Sequence, residues 1–172
     1  EKVKPVLFIN KVDRLINELR VTPEEMQNRF IKIINRFNEL LDRVVGEDFK
    51  GKWNVKVEDG SVAFGSAFHN WAVSVPRMKK TNLGFKDVYN YCKDNDQKAL
   101  AKRSPIHEVV LDMVINRLPP PNIAQKYRIP HIWRGDLTSP LGKNMVECNE
   151  NGPLALMVVK IILDPHAGEV AI

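Results

Sequence analysis

Asn10, Lys11 and Asp13 form an Asn-Lys-x-Asp tetrapeptide, and the residues before it, Val6-Leu7-Phe8-Ile9, are apolar and of strand-forming type. A buried strand with that ending delivers an amide, an ammonium and a carboxylate to its carboxyl end. An ionised carboxylate accepts at both oxygens. Asp13 therefore matches a planar ligand with two adjacent N–H donors, the arrangement on guanine's N1–H and 2-amino edge, in a bidentate, charge-assisted pair. Adenine has a lone pair at N1 and no 2-amino group, so the same carboxylate rejects it through unpaired polar groups. Asn10 supplies an amide that can donate to the N7 edge of the base or tie neighbouring loops together. The Lys11 methylenes can cover the ring face while the ammonium stays in water. The tetrapeptide also suits a plain strand-to-loop exit with Asp13 as a turn or cap residue, and alone it leaves that choice open.

A second turn narrows the choice. Val62-Ala63-Phe64 reads as another short apolar strand, running into Gly65-Ser66-Ala67. A glycine there lets backbone approach a ligand closely. The Ala67 amide is then placed to donate to guanine O6, and the Ser66 hydroxyl to brace the Asp13 carboxylate. Loops at the carboxyl ends of neighbouring parallel strands are where an open α/β sheet takes its ligand, so the two turns together specify far more than either alone.

The elements that must position these groups follow from period and caps. Residues 14–20 read as a short helix or turn. Thr22-Pro23-Glu24-Glu25 is a helix start with a capping box and proline at the first helical position. Met26, Phe30, Ile33, Ile34, Phe37, Leu40, Leu41 and Val44 then recur at helical spacing up to Gly46, the stripe of a helix facing a core. Trp53, Val55 and Val57 alternate with polar residues, Asp59-Gly60 is a turn signal, and Val62 and Phe64 resume the alternation, which predicts a β-hairpin over residues 49–64 with Trp53 as a packing residue. Helices are expected over residues 85–91, over residues 95–103 and from Ser104-Pro105 through Leu118, ended by Pro119-Pro120-Pro121. His69 follows the second turn with no partner acid or nucleophile evident, and reads as a structural or capping residue. Residues 122–134 read as a linker, and residues 135–151 as an irregular loop. A β-type run from Leu154 to Leu163 turns through Asp164-Pro165-His166-Ala167-Gly168.

Composition sets the outer bounds. The chain has 172 residues, 44% hydrophobic and 27% charged, an ordinary globular balance with room for one good core. It shows no apolar run of membrane-spanning length and no signal-peptide core at its start. Cys92 and Cys148 are too few and too isolated for a disulfide framework or a metal site, which suits a reducing compartment. The net charge of +5 is spread along the chain, compatible with a nucleic-acid partner without specifying one. No Gly-x-x-x-x-Gly-Lys-Ser/Thr phosphate loop is present, and Gly142-Lys143-Asn144 lacks both the earlier glycine and the hydroxyl. No catalytic or metal-ligating residue is therefore assigned. A chain that enters a buried strand within a few residues reads as a piece of a longer protein, holding the base-reading half of a nucleotide site.

With these residues in view, the chain resembles the elongation factor G/2 family of translational GTPases, in its archaeal or eukaryotic branch. Asn10-Lys11-Val12-Asp13 is similar to the guanine-specificity motif of P-loop GTPases, and Gly65-Ser66-Ala67 to their last base-contacting loop. Phe68-His69-Asn70-Trp71-Ala72 resembles the continuation of that loop in the translational members. The stretch from Pro105 to Val114, Leu118-Pro119-Pro120-Pro121 and Ala124-Gln125-Lys126-Tyr127-Arg128 resembles the end of their GTP-binding domain, and Gly152-Pro153-Leu154 the start of the next domain. The resemblance implies an α/β fold: the C-terminal half of a P-loop GTPase domain over residues 1–121, an inserted helix and hairpin (α+β) over residues 14–61, a linker over residues 122–151, and the first strands of a β-barrel domain over residues 152–172. It implies GTP or GDP held at the base by Asn10, Lys11, Asp13, Ser66 and Ala67, with Mg2+ bound by ligands outside the chain. It further implies a cytoplasmic, monomeric GTPase that binds the RNA and proteins of the ribosome, engages no membrane, and promotes translocation. Without a phosphate loop the chain alone is expected to be inactive. Two alternatives stay open: a guanine-nucleotide switch that never meets a ribosome, and a non-catalytic basic module in which the tetrapeptide is accidental.

Overall fold

The apolar run before the tetrapeptide forms β1, Leu7–Ile9, in a computed structural model that describes residues 2–172. β1 pairs in parallel with β2, Val62–Ser66, aligning Leu7 with Val62, Phe8 with Ala63 and Ile9 with Phe64. β3, Trp71–Val73, runs antiparallel on the other side of β2, so the strand order is β1-β2-β3. Every residue of β2 and β3 is buried, which explains why Val62-Ala63-Phe64 reads as a continuous apolar run. Side chains still alternate between faces. Val62, Phe64, Trp71 and Val73 join one apolar cluster, whereas Ala63 and Ala72 join another.

The larger cluster gathers the helices that follow the two turns. α1, Val12–Asn17, contributes Val12 and Ile16. α2, Pro23–Val44, begins as predicted: the Glu25 amide donates to Thr22 Oγ1 and the Thr22 amide to the Glu25 carboxylate. Met26, Phe30 and Ile34 form its buried face, while Ile33, Leu40 and Val44, read from the sequence as part of the same stripe, are exposed. Phe30, Phe64 and Phe85 pack as an aromatic triad, with ring centroids 4.7, 5.4 and 6.1 Å apart. α3 is Val75–Thr81, α4 Phe85–Lys93 and α5 Gln97–Arg103. α6, Ile106–Arg117, places Val109 and Met113 against Ala63 and Ala72 on the other sheet face. Neither β3 nor α3 was legible in the sequence.

Polar anchors close this unit. The Trp71 indole N–H donates to Gln97 Oε1 at 2.8 Å. Ser104 occupies the outer edge of β3: its hydroxyl donates to the Ala72 carbonyl at 2.6 Å and its carbonyl accepts the Ala72 amide at 3.1 Å. The buried Arg77 guanidinium pairs with Glu108 and donates to the Arg103 carbonyl, tying α3 to α5 and α6.

The hairpin predicted over residues 49–64 does not form, and no strand lies between α2 and β2. The reason is that side chains take the backbone groups a ladder would have paired. The Val55 amide donates to Asn38 Oδ1 at 2.8 Å, and the Val55 carbonyl accepts from Asn38 Nδ2 at 3.0 Å. The Lys56 amide donates to Ser61 Oγ at 2.8 Å. Trp53 and Val55 are buried from an irregular chain, so their alternation reflects packing without pairing. The segment expected as helix plus hairpin is thus helix plus ordered loop. The actual hairpin joins β2 to β3 across residues 67–70.

The chain divides between Pro119 and Pro120 into two compact units, the second also taking in Lys2 and Val3. In the second unit, the stretches expected as linker and loop hold two helices. α7 is Pro121–Ile132, with Pro121 starting a helix where the proline run had been read only as a stop. α8 is Pro140–Glu147, capped by Ser139 Oγ, which accepts the Gly142 amide at 3.1 Å. The predicted β run forms only at its end, as β4, Ile161–Asp164, paired antiparallel with β5, Gly168–Ala171. Asp164 Oδ1 accepts the His166 and Ala167 amides, each at 2.8 Å, and so sets the predicted turn.

Val55 is 2% exposed, so removing its side-chain partner strands two buried backbone groups. Asn38→Ala is expected to cost about 2–3 kcal/mol of stability, read as a lower urea midpoint with an unchanged slope.

Candidate functional site

Parallel pairing of β1 with β2 brings the ends of both strands to one side of the sheet, and Asn10 then joins them. Its Oδ1 accepts the Lys11 amide at 2.8 Å and the Ala67 amide at 3.0 Å. Two donors on one atom assign that atom as the oxygen. Asn10 Nδ2 makes no hydrogen bond among the described residues. Lys11, which caps α1, sits at φ 63° and ψ 33°, a left-handed conformation that costs a residue with a side chain about 1 kcal/mol. The cost places the next residues on α1, with Asp13 in its first turn and 13% of its side chain exposed.

The second turn differs in detail from its sequence reading. Ser66 is buried and its hydroxyl accepts the His69 amide at 3.3 Å; it makes no bond to Asp13. The group beside the carboxylate is His69, with Nε2 3.7 Å from Asp13 Oδ2. No pattern in the sequence pointed to this contact, because it depends on a four-residue turn in which Asn70 takes φ 59° and donates to the Ala67 carbonyl at 3.3 Å. Gly65 serves packing: a Cβ there would stand 2.4 Å from the Trp71 carbonyl oxygen, so glycine is what lets β3 fold against β2. Ala67, expected to aim its amide outward, has it engaged by Asn10.

These groups line a depression of about 250 Å³ with Asn10, Lys11 and Asp13 on one wall and Ser66, Phe68 and His69 on the other. Phe68 is 87% exposed and its ring meets the His69 ring edge-on, centroids 4.9 Å apart. At the mouth Arg14 pairs with Glu18 at 3.5 Å. A larger groove of about 770 Å³ is lined mainly by apolar side chains, Met26, Phe30, Ile34, Phe64 and Phe85 among them, with Glu24, Gln27, Glu58 and Lys86 also on its wall. Behind the site, Cys92 is buried on α4, and burial together with the Asp13 charge pushes its thiol up to about 12. Among the described residues no His, Cys, Asp and Glu cluster is arranged to hold a metal ion, and no helix is long and apolar enough to cross a membrane.

Strand-end turns with an amide, a lysine and a largely buried carboxylate, on a sheet covered by helices, make this an α/β domain with its polar turns at one end of the sheet. Residues 1–120 match the family model described as the elongation factor Tu GTP binding domain, and the chain belongs to that family. It is similar throughout to elongation factor 2 from Methanocaldococcus jannaschii, 63% identical over 172 residues, which is all of this chain and 24% of that protein. Elongation factor 2 from Methanococcus aeolicus is 62% identical over 171 residues, 99% of this chain and 24% of the relative. The protein of that name from Thermococcus kodakarensis is 60% identical over 171 residues, 99% of this chain and 23% of the relative. The chain thus spans about a quarter of the length of the curated relatives it matches. The family read from the sequence is the family the comparisons show.

Two measurements test this geometry without a ligand. Asn10→Ala is expected to speed amide exchange at Lys11 and Ala67 by roughly tenfold or more while the β1–β2 amides stay protected, as read by NMR. Cys92 at pH 8 is expected to resist iodoacetamide in the folded protein and to react once urea unfolds it, as read by peptide mapping. Folding holds the proton on this thiol, so its contribution to stability is full below its ordinary 9.0 and is lost as pH rises through about 12.

Proposed function

We propose that this chain is the base-reading part of a translational GTPase that binds GTP and GDP and promotes ribosomal translocation during elongation. The family match and the names of the relatives support the class. The observation that carries the local reading is the double acceptance by Asn10 Oδ1, which leaves Asn10 Nδ2 free to face a ligand in the depression that the Asp13 carboxylate also lines. Asp13 takes the N1–H and the 2-amino group of guanine, and Asn10 Nδ2 donates to the N7 edge. The Lys11 methylenes cover one ring face. Ala67 N–H lies on the O6 side and reaches it as a shared bond with Asn10. Ser66 supports the turn through the His69 amide.

Among the described residues no cluster of His, Cys, Asp and Glu is arranged to hold Mg2+. Gly142 and Lys143 lie inside α8, and a Cβ at Gly142 would stand 2.5 Å from the Asp136 carbonyl oxygen, so that glycine is packed against protein and cradles nothing. Phosphate binding, Mg2+ and hydrolysis are assigned to parts of a longer protein, with residues 1–121 as the C-terminal half of its P-loop GTPase domain. The chain by itself is expected neither to hydrolyse GTP nor to hold it tightly. Residues 122–151 then connect to β4 and β5 as the opening strands of a β-barrel domain. The ribosome is the partner of that cytoplasmic, monomeric protein.

The test is Asp13→Asn in a protein of the relatives' full length carrying this chain. An asparagine accepts from N1–H and donates to the 2-oxo group of xanthine. Affinity for GDP is expected to fall by roughly 100-fold or more and affinity for xanthosine diphosphate to rise, measured by competition against a fluorescent nucleotide. Unchanged base preference would overturn the assignment of Asp13.

A further inference from the structure

We propose that His69 is a positioning residue for guanine: its imidazole holds the Asp13 carboxylate in the plane that accepts N1–H and the 2-amino group together. The proposal rests on the guanine reading of Asp13 given above. Among the described residues His69 is the one basic side chain within 4 Å of that carboxylate, Nε2 standing 3.7 Å from Oδ2. The lysine and arginine side chains of the site do not compete. Arg14 is engaged with Glu18, and Lys11 makes no ion pair with Asp13.

The imidazole is itself held from three directions. Its backbone amide donates to the buried Ser66 hydroxyl at 3.3 Å. Its ring lies at 89° to the Phe68 ring. The turn behind it is closed by the bond from the Asn70 amide to the Ala67 carbonyl. Two thirds of the His69 side chain is covered, with 32% exposed.

The chemistry requires little of this contact. A carboxylate offers about four lone-pair sites. Guanine uses one on each oxygen, and a third, on Oδ2, remains for an imidazole N–H. The contact is longer than a hydrogen bond in the free site and closes to one when the base draws the carboxylate outward. A carboxylate fixed in this way meets two donors at once. A carboxylate free to rotate meets one of them well and the other poorly. Discrimination for the 2-amino group therefore falls on His69 as well as on Asp13, and Ser66 acts through His69.

Hypoxanthine isolates this effect, because it keeps N1–H and O6 and lacks the 2-amino group. In a protein of the relatives' full length carrying this chain, the ratio of IDP to GDP dissociation constants is measured for the parent, His69→Ala, His69→Phe and His69→Gln. The alanine and phenylalanine variants are expected to lower that ratio by roughly tenfold, mainly through weaker GDP binding. Phenylalanine keeps the ring volume and removes the N–H, so it separates the donor from the packing. Glutamine places a neutral N–H at similar reach and is expected to return the ratio to within about threefold of the parent. Equal losses of GDP and IDP affinity would mean that His69 only shapes the turn, and would overturn the proposal, as would an unchanged ratio or no recovery with glutamine. Asp13→Asn measured alongside keeps the layers apart. A switch to xanthine with an unmoved His69 ratio defeats His69 alone, whereas no switch defeats the guanine reading beneath it.

Discussion

Two backbone N–H groups, one following β1 and the other 57 positions away from Asn10, converge on a single amide oxygen. Parallel pairing of β1 and β2 only brings the two turns to the same side of the sheet. The Asn10 side chain converts that proximity into a fixed distance, because both bonds must be made by the same atom. Lys11 is forced into a left-handed conformation as the backbone bends around this acceptor, and α1 starts immediately afterwards. The placement of Asp13 follows from that bend, and the placement of His69 from the turn that Ala67 opens. A hydrogen bond of ordinary strength is thus the point through which strand geometry becomes site geometry.

What was legible in the residues was local and chemically explicit. The Thr22 cap and the Asp164 turn each state their partners within a few positions, and the apolar run before Asn10 announces a buried strand without announcing its partner. The 49–64 hairpin failed because its alternation is real but its backbone partners sit on a helix: Asn38, a polar residue within α2, satisfies Val55 from 17 positions away. The second unit misled in another way. Pro121 and Pro140 were read as marks of irregular chain, whereas each occupies the first helical turn, where a missing N–H costs nothing.

The site divides along the same line. Asn10, Lys11, Asp13, Ser66 and Ala67 are all where the two turns meet, so the convergence of these turns was readable from motif and spacing. Their internal bonding was not. The Ser66 hydroxyl serves the His69 amide, the Ala67 amide serves Asn10, and Gly65 makes room for β3. The His69–Asp13 contact belongs to this second layer. It depends on the sense of a four-residue turn, and nothing in residue type announces it.

Ser104 deserves a last consequence. By taking both the amide and the carbonyl of Ala72, and with Pro105 bridged to Trp71, it leaves the outer side of β3 without a free run of donors and acceptors. The sheet is therefore polar in its capacity to grow: a further strand can add beside β1 and not beside β3. Self-association through sheet edges, the usual hazard of a short open sheet, is blocked on that side by Ser104, through its hydroxyl and its carbonyl, and by Pro105, leaving the β1 side as the flank where stray pairing must be prevented by other means.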